Sequence, residues 1–396
     1  MSKSELIVGL DIGTTKICCV VGETSDDGTM NIVGVGESPS TGLRKGVVVN
    51  IEQTVQSIRK AVEEAERMAN CEIRSVYAGI AGSHIKGTNS HGAIPLKDGK
   101  EVDARDIERV IEAAKAVAIP SGSEVIHILP QEYIVDDQLG ISDPVGMSGY
   151  RLEAHVHIVT GAITSAQNII RSCKRSNLEV SDIVLEALAS SKAILTDEER
   201  EIGVAIVDLG GGTSDIAVLS LNGIVCKSSV KMAGNKMNAA IVRYVRSTYN
   251  VLIGDSTADR VKREIGTVWT EGQPEKTVEV KGRNLVTGLP QKITLSSYEL
   301  EMPLRIEVER IITALQSVME QTPPELVADI EKNGLLMTGG GAMLDGLDKL
   351  ITSRVRIRAH LAENPIEAVA IGTGKSFEYL GKLYDGFVSY TNYSSR

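Results

Sequence analysis

Two short segments of the chain combine an aspartate with a turn of glycine and threonine residues. The first consists of Asp11, Gly13, Thr14, Thr15 and Lys16, and the second of Asp208, Gly210, Gly211, Gly212 and Thr213. Glycine allows the backbone to approach phosphate oxygens closely, and exposed N–H groups together with threonine hydroxyls can bind the anion. The pattern predicts that the two segments bind the phosphates of ATP between them.

The charged side chains of these segments suit the same ligand. We expect Asp11 and Asp208 to hold a hydrated Mg²⁺ that neutralises the phosphates, partly through water, because magnesium usually keeps several of its waters. Lys16 would add a positive charge at the β- and γ-phosphates. One such segment could be an ordinary turn, but two of them favour a nucleotide site.

A third glycine-rich segment consists of Gly339, Gly340 and Gly341, after the apolar run 334–338. A glycine turn between a strand and a helix allows the backbone to pack flat against an adenine or a ribose. Glycines also occur at ordinary strand–helix junctions, so this segment supports the prediction only together with the other two.

Two further patterns are better explained by structure than by chemistry. Residues 372–376 read Gly-Thr-Gly-Lys-Ser, like the end of a Walker A loop, but Val369 stands where the leading glycine belongs. We therefore predict a packed terminal helix there. Glu153, His155 and His157 alternate along a strand, and we expect a solvated strand face rather than a metal site.

The elements that position these residues follow from the apolar pattern. Each aspartate segment lies between two β-rich runs, which predicts a hairpin, and the hairpins lie about half a chain apart. An internal repeat of this size predicts two α/β domains that face each other. Apolar spacing predicts helices at 51–68, 103–117, 165–177, 238–248, 257–264 and 306–320, and strands at 276–281, 291–295 and 334–338.

The composition excludes several classes of protein. Of the 396 residues, 42% are hydrophobic and only 3% aromatic, which indicates two domains with aliphatic cores. The formal net charge of −10 argues against nucleic acid as a main partner. The five cysteines have no metal-ligand spacing and are expected to be reduced thiols.

Strand-like sequence begins at Glu5, and no apolar run reaches the roughly 18 residues needed to span a bilayer, so we expect a cytoplasmic protein.

The three glycine segments resemble those of the actin, heat-shock-70 and sugar-kinase superfamily, which implies an actin-like two-domain α/β fold. Residues from about 5 to 200 resemble FtsA, the bacterial cell-division actin homologue. The stretches with this likeness are 10–16, 81–85, 129–133, 143–147 and 188–191. The likeness implies that residues 84–161 form the inserted subdomain that FtsA has in place of actin's usual second subdomain.

Beyond about residue 219, the chain resembles MreB, the cell-shape actin homologue. The stretches with this likeness are 220–223, 233–235, 240–246, 259–266, 282–285, 322–326 and 338–342. The sequence is therefore interpreted as composite or chimeric.

The likeness to MreB implies further site residues. Glu186 matches the residue that orients the attacking water, a role that hydrolysis requires; the alternative is a solvated glutamate at a helix start. Lys262 and Glu264 match residues that line the ribose and adenine pocket. Gly234 and Asn235 match a loop of the nucleotide pocket, where MreB usually has Asp at the second position.

These likenesses imply a division into four parts. Subdomain 1A would comprise residues 1–83 and 162–195 with a C-terminal helix at 370–396, the FtsA-like subdomain 1C residues 84–161, subdomain 2A residues 196–237 and 298–369, and the MreB-like subdomain 2B residues 238–297.

The expected function is that of an ATP-binding cytoskeletal scaffold that polymerises head to tail into protofilaments, with at most slow hydrolysis of ATP. An FtsA-type cell-division scaffold is favoured over an MreB-type cell-shape filament. A small-molecule kinase of the same superfamily is the alternative of another class, although no general base for an acceptor is evident. A pilus-assembly ATP-binding module is a further alternative.

The resemblance also implies partners. These are further copies of the chain, the tubulin-like division protein FtsZ, and other divisome or elongasome proteins. The FtsZ-binding surface of FtsA lies in the part of this chain that resembles MreB, which leaves that partner open. Peripheral contact at the inner face of the cell membrane is also expected, although residues 384–396 contain few basic residues for a membrane-surface helix.

Overall fold

The computed structural model describes residues 6–24, 30–97, 99–220 and 223–375. The first part of the chain is a hairpin followed by a third strand, a helix and a parallel strand. Its elements are β1 (Leu6–Ile12), β2 (Lys16–Thr24), β3 (Met30–Pro39), the short β4 (Leu43–Arg44) and β5 (Val47–Val48), α1 (Ile51–Ala69) and β6 (Ser75–Ile80). The helix α1 begins where the Asn50 side chain accepts a hydrogen bond from the Gln53 N–H, and it ends at the left-handed Asn70.

The next elements form a separate antiparallel sheet in the order β7-β10-β8-β9. They are β7 (Lys86–Pro95), α2 (Ala104–Ala114), β8 (Ser123–Val135), β9 (Gln138–Ile141) and β10 (Arg151–Ala162). The apolar side of α2 packs on β7 and β10 through buried residues such as Ile107, Val110 and Ile111. Residues 86–162 thus have a core of their own, as expected of an inserted α+β subdomain.

The expectation of a solvated strand face at Glu153, His155 and His157 is wrong for two of the three residues. Glu153 and His157 are only 6% and 3% exposed, because side chains of the neighbouring strand β7 lie against them, and His91 forms a hydrogen bond to Glu153. The histidine Nδ1 of His157 donates to Asn89 Oδ1 at 2.6 Å. Neighbouring strands therefore cover side chains that alternation alone assigned to solvent.

The chain then returns to the first sheet and completes it in the order β11-β6-β1-β2-β3. The returning elements are α3 (Ile163–Arg175), β11 (Glu179–Leu185), α4 (Glu186–Ile194) and α5 (Asp197–Ile202). Three antiparallel strands, β3, β2 and β1, are followed by two parallel ones, β6 and β11.

The second half repeats this arrangement, with sheet order β14-β13-β12-β18-β19 and the same change from antiparallel to parallel pairing. Its elements are β12 (Val204–Leu209), β13 (Ser214–Ser220), β14 (Gly223–Val230), α6 (Gly234–Tyr249), β15 (Val251–Leu252), α7 (Asp255–Ile265), β16 (Thr277–Asn284), β17 (Pro290–Ser296), α8 (Ser297–Gln321), α9 (Pro324–Asn333), β18 (Leu335–Thr338), a 3₁₀ turn (Gly340–Met343), α10 (Leu347–Val355), β19 (Ala359–Leu361) and α11 (Ala368–Lys375). The predicted duplication of the α/β unit and the actin-like fold are confirmed.

Helices α8 and α11 can be compared with the helices that the sequence predicts at residues 306–320 and at Gly372. Helix α8 begins at Ser297, nine residues before the predicted start, because the Ser296 and Glu299 side chains form a capping box and Pro303 is accommodated inside the helix. The packed helix predicted at Gly372 is confirmed: a Cβ there would lie 1.6 Å from the Ala189 carbonyl oxygen of α4. Residues 376–396 of the predicted C-terminal helix lie outside the described residues.

Candidate nucleotide site

The first predicted turn is a tight connection between β1 and β2. Ile12 pairs with Ile17, so the four residues 13–16 connect the paired parts of the two strands. A Cβ on Gly13 would lie 2.7 Å from the Lys16 carbonyl oxygen, which explains the glycine. The Thr14 hydroxyl accepts a hydrogen bond from the Gly46 N–H at 2.8 Å, so the turn is fixed from the side.

The second predicted turn joins β12 and β13 in the same way. Leu209 pairs with Ser214, and the Gly210 N–H donates to the Thr213 carbonyl oxygen at 3.0 Å. The two turns meet. A Cβ on Gly211 would lie 2.2 Å from Thr15 Cγ2, so the fold brings the predicted phosphate-binding segments of the two halves into contact.

The third glycine segment packs against the second turn. Gly339 has φ +82°, and a Cβ there would lie 2.5 Å from Asp208 Oδ1 and from the Leu209 carbonyl oxygen. A Cβ on Gly341 would lie 2.8 Å from the same carbonyl. At Gly340 the corresponding space is open, so this glycine presents bare backbone beside the turn.

Helix α6 also begins at the second turn. The Gly234 and Asn235 N–H groups donate to the Gly210 and Gly211 carbonyl oxygens at 3.2 and 2.9 Å. Lys262 Nζ lies 3.3 Å from the position of a Cβ on Gly234. Four predicted segments from both halves, those at residues 11–16, 208–213, 234–235 and 339–341, therefore converge with Lys262 on one place.

Glu264 does not join Lys262 at the turn. Residues two apart on a helix point to different sides, and the Glu264 carboxylate pairs with Arg260 at 3.1 Å on an exposed face of α7. Lys262 instead donates to Asn238 Oδ1 and Asp259 Oδ1, both at 2.8 Å. The structure thus separates the two residues that the sequence assigned to one pocket.

Lys16 lies next to the first turn but is engaged elsewhere. Its amine forms an ion pair with Glu37 on β3. The same amine is close enough to Asp11 to lower the pKa of that carboxyl, against the larger effect of burial.

A group of acidic side chains lies behind the turns. Burial raises the pKa of Asp11 to about 6, while burial with the neighbouring Asp215 and Asp11 raises the pKa of Asp208 to about 8. Burial and then Asp11, Asp208 and Asp215 raise the pKa of Glu186 well above its ordinary value. Glu186 is the first residue of α4 and packs on Gly79, with its Oε1 3.6 Å from the position of a Cβ there.

Asp215 was not predicted from the sequence. In the register of the second hairpin it lies directly opposite Asp208, and like charges in such a pair repel each other. The hairpin was recognised from the sequence, so counting the pairs back from its turn would have identified Asp215.

The acidic side chains are not arranged to bind a metal ion directly. Among the described residues, no three His, Cys, Asp or Glu side chains are placed to hold a metal ion directly. Asp11 Oδ1, however, is buried and has no hydrogen-bond partner. A buried carboxylate oxygen of this kind fits a hydrated cation, which would reach the protein partly through water.

The duplicated sheets and the paired turns define a protein of the actin-like class. The family model for "MreB/Mbl protein" matches residues 169–385, and the model for "SHS2 domain inserted in FTSA" matches residues 82–160. The cell division protein FtsA of Pseudomonas aeruginosa is 38% identical, over 100% of this chain and 95% of the relative. The FtsA of Neisseria meningitidis serogroup B is 39% identical, over 85% of this chain and 79% of the relative. The chain therefore belongs to the FtsA family of actin-like proteins.

Solved structures agree with the fold. MreB5 of Spiroplasma citri bound to ADP has a TM-score of 0.62 at 22% identity, over 96% of this chain and 98% of that one. The MamK double helical filament has a TM-score of 0.54 at 15% identity, over 94% and 98%. The composite likeness to FtsA and MreB is confirmed, and the FtsA relatives extend over the part that resembles MreB. None of the helices in the described part of the chain combines the length and apolar character needed to cross a bilayer.

Proposed function

We propose that the chain binds ATP between its two hairpin turns. The observation that carries this proposal is the meeting of the turns, in which Thr14 and Thr15 of one half lie against Gly212 and Gly211 of the other. Backbone N–H groups and hydroxyls from both halves would then surround the phosphates. The printed titles of two structural neighbours, MreB5 bound to ADP and to AMPPNP, support a nucleotide ligand.

We infer that Mg²⁺ accompanies the nucleotide, because the acidic residues need a positive charge. Asp11 and Asp208 have raised pKa values that burial and mutual repulsion impose, and a divalent cation favours their ionised forms. The ion would neutralise the phosphates. The two aspartates would hold its waters, one from each half of the chain.

We assign to Glu186 the role of orienting the attacking water. It is the first residue of α4, and the neighbouring charges of Asp11, Asp208 and Asp215 add to the effect of burial on its pKa. A carboxylate here can accept a hydrogen bond from a water and orient it towards the γ-phosphate. Hydrolysis would be slow, because positioning is all that this residue supplies.

We propose that the chain polymerises head to tail as an FtsA-type cell-division scaffold. Support comes from the FtsA relatives that match both halves and from the match at residues 82–160. An MreB-type cell-shape filament is the second candidate, favoured by the match at residues 169–385. The division into subdomains 1A, 1C, 2A and 2B given above is part of this proposal.

The partners follow the same proposal. They are further copies of the chain and FtsZ, with the protein at the inner face of the cell membrane. A groove of about 800 Å³ between α6 and α8 is lined by Arg243, Arg310, Met302 and Ile306 among others. The groove also contains Lys236 and the carboxylates Glu299 and Glu307, and Glu307 pairs with Arg243. Three cations against two carboxylates, beside exposed apolar side chains, suit an acidic, partly apolar protein segment, so this groove is where we would look for the FtsZ tail.

One experiment separates a filament protein from a kinase of the same superfamily. The purified chain is centrifuged with Mg-ATP, with Mg-ADP and without nucleotide, and the same samples are assayed for phosphate transfer to a panel of sugars. We expect pelleting that depends on ATP and no transfer. Transfer to a sugar without pelleting would replace the proposed function with a kinase.

A further inference from the structure

A third tight turn, made by Lys45 and Gly46, lies beside the two phosphate turns. It connects the short strands β4 and β5, in which Leu43 pairs with Val48. Lys45 and Gly46 have φ +53° and +74°, and two central residues with positive φ are typical of a two-residue hairpin turn. The side chains of Leu43 and Val48 are buried in the hydrophobic core. The Lys45 turn is therefore a fixed part of the fold.

The Lys45 turn contacts both halves of the proposed phosphate site. The Gly46 N–H donates to the Thr14 hydroxyl of the first turn at 2.8 Å. A Cβ on Gly212, in the second turn, would lie 3.0 Å from Lys45 Cα. On the other side, a Cβ on Gly46 would lie 3.3 Å from the Ala81 carbonyl oxygen. Contacts with three segments thus hold the backbone of Lys45 at the place where the first and second turns meet.

Lysine is not the residue that this backbone conformation favours. Asparagine, aspartate and glycine are preferred where a turn requires positive φ, and a lysine adopts the same conformation at some cost in stability. Four of the five other non-glycine residues with positive φ in the described part of the chain are asparagine or aspartate. Residues held in such conformations are concentrated at functional sites. The shape of the turn does not explain the lysine, so we looked for a use of its side chain.

The Lys45 side chain is available to an anion. It is exposed, and among the described residues no carboxylate forms an ion pair with its amine. Lys16, which the sequence assigned to the phosphates, is instead paired with Glu37. Lys45 therefore brings to the turns a positive charge that no carboxylate in the described part of the chain pairs with.

The contacts along the second turn indicate which phosphate Lys45 would meet. At the start of the turn, the Gly210 carbonyl oxygen accepts a hydrogen bond from the first N–H of α6 at 3.2 Å, and a Cβ on Gly341 would lie 3.4 Å from the same oxygen. At the end of the turn, Gly212 lies against Lys45. The nucleoside is expected beside α6 and the third glycine segment, so the end of the turn at Gly212 would face the phosphate farthest from the nucleoside.

We propose that Lys45 binds the terminal phosphate of ATP and makes the site favour ATP over ADP. This inference rests on the proposed function and assigns a further binding residue to it. A lysine ammonium group binds phosphate as a point charge on a flexible stem, and the Lys45 turn fixes the Cα from which that stem extends. ADP has no γ-phosphate, so the charge of Lys45 contributes less to its binding.

The test compares Lys45→Asn and Lys45→Arg with Arg356→Asn in the full chain. Asparagine suits a left-handed backbone and removes the charge, whereas arginine retains the charge. Arg356 is the matched control, because it is also an exposed cation with positive φ, +59°, at the end of α10. Isothermal titration calorimetry measures the affinity of each variant for Mg-ATP and for Mg-ADP, and thermal unfolding gives its Tm.

We expect Lys45→Asn to weaken ATP binding roughly tenfold, with ADP affinity within about twofold of the parent's. Its Tm should equal or exceed that of the parent, because asparagine adopts positive φ more readily than lysine. Lys45→Arg should retain most of the preference for ATP. Arg356→Asn should bind both nucleotides as the parent does.

The outcomes distinguish a phosphate-binding lysine from a structural one. Parental ATP affinity in Lys45→Asn would overturn the assignment. An equal loss for ATP and ADP, or a loss accompanied by a lower Tm, would also overturn it, because the lysine would then support the shape of the turn. A parent chain that binds neither nucleotide would instead overturn the proposed function, and the assignment of Lys45 with it.

Discussion

Thr15 and Gly211 meet across the two halves of the chain, with a Cβ on Gly211 placed only 2.2 Å from Thr15 Cγ2. Beside them, a Cβ on Gly212 would lie 2.6 Å from the Thr14 hydroxyl. Side chains larger than hydrogen at these glycines would hold the two turns apart. The approach of the halves, and with it the proposed phosphate site, therefore depends on the glycines of the second turn.

The first prediction follows from that contact. We expect Gly211→Ala to weaken binding of Mg-ATP at least roughly tenfold, because the added methyl prevents the turns from closing on the phosphates. Isothermal titration calorimetry measures the affinity. Gly254→Ala is the matched control, since a Cβ there meets nothing within 4 Å. Equal affinity of the two variants would contradict the role of the contact.

The second prediction concerns how much the buried aspartates destabilise the folded protein when no cation is bound. Asp208 has a folded-state pKa of about 8 against an ordinary 3.8, so its contribution to stability is lost as pH rises from about 4 to 8. In EDTA, Asp208→Asn should raise Tm at pH 8, and the gain should shrink towards pH 4. With Mg²⁺ present, both Asp208→Asn and Asp11→Ala should abolish ATP binding. Unchanged ATP affinity in Mg²⁺ would remove these aspartates from the site.

The third prediction separates binding from hydrolysis. Glu186→Ala should leave ATP affinity nearly unchanged and slow phosphate release by roughly 10²-fold, because the residue orients water and does not hold the phosphates. Glu186→Gln retains the size of the side chain and should show the same loss if the charge matters. Single-turnover quench-flow measures the rate, and a rate equal to the parent's would leave Glu186 as a helix-start glutamate.

The fourth prediction concerns acid stability at the boundary with the inserted sheet. His127 accepts a hydrogen bond from the Leu185 N–H at 2.9 Å, and burial lowers its pKa from 6.5 to about 3. A depressed histidine pKa gives stability that is complete above pH 6.5 and is lost as pH falls towards the folded value. His127→Gln retains an acceptor but does not titrate. Its stability relative to the parent, measured by urea unfolding, should improve by about 2 kcal/mol between pH 7 and pH 5. A difference that does not change with pH would show that His127 is not the titrating group.

Much of the fold was predictable because its signals are local. The hairpin at Asp11 and the helix at residues 51–68 follow from apolar period and turn chemistry over fewer than 20 residues. The predicted start of α8 at residue 306 was too late, because the capping box that Ser296 and Glu299 form begins the helix at Ser297.

The site was predictable only where one segment defines it. Glu264 was paired with Lys262 by resemblance, yet the helical turn sends it to a solvent-exposed face. The burial of His157 depends on strands that meet from distant parts of the chain. Contacts between such distant segments leave no pattern in the sequence, so the groups that surround the acidic residues are identified only from the structure.

The most direct test of the account is negative-stain electron microscopy of the chain with Mg-ATP, in solution and on a lipid monolayer, beside Asp11→Ala under the same conditions. We predict filaments for the parent chain with ATP and none for Asp11→Ala. Growth only on lipid would also place the polymer at a membrane surface. Tight ATP binding by the parent chain without filaments in either setting would contradict the proposed cytoskeletal function.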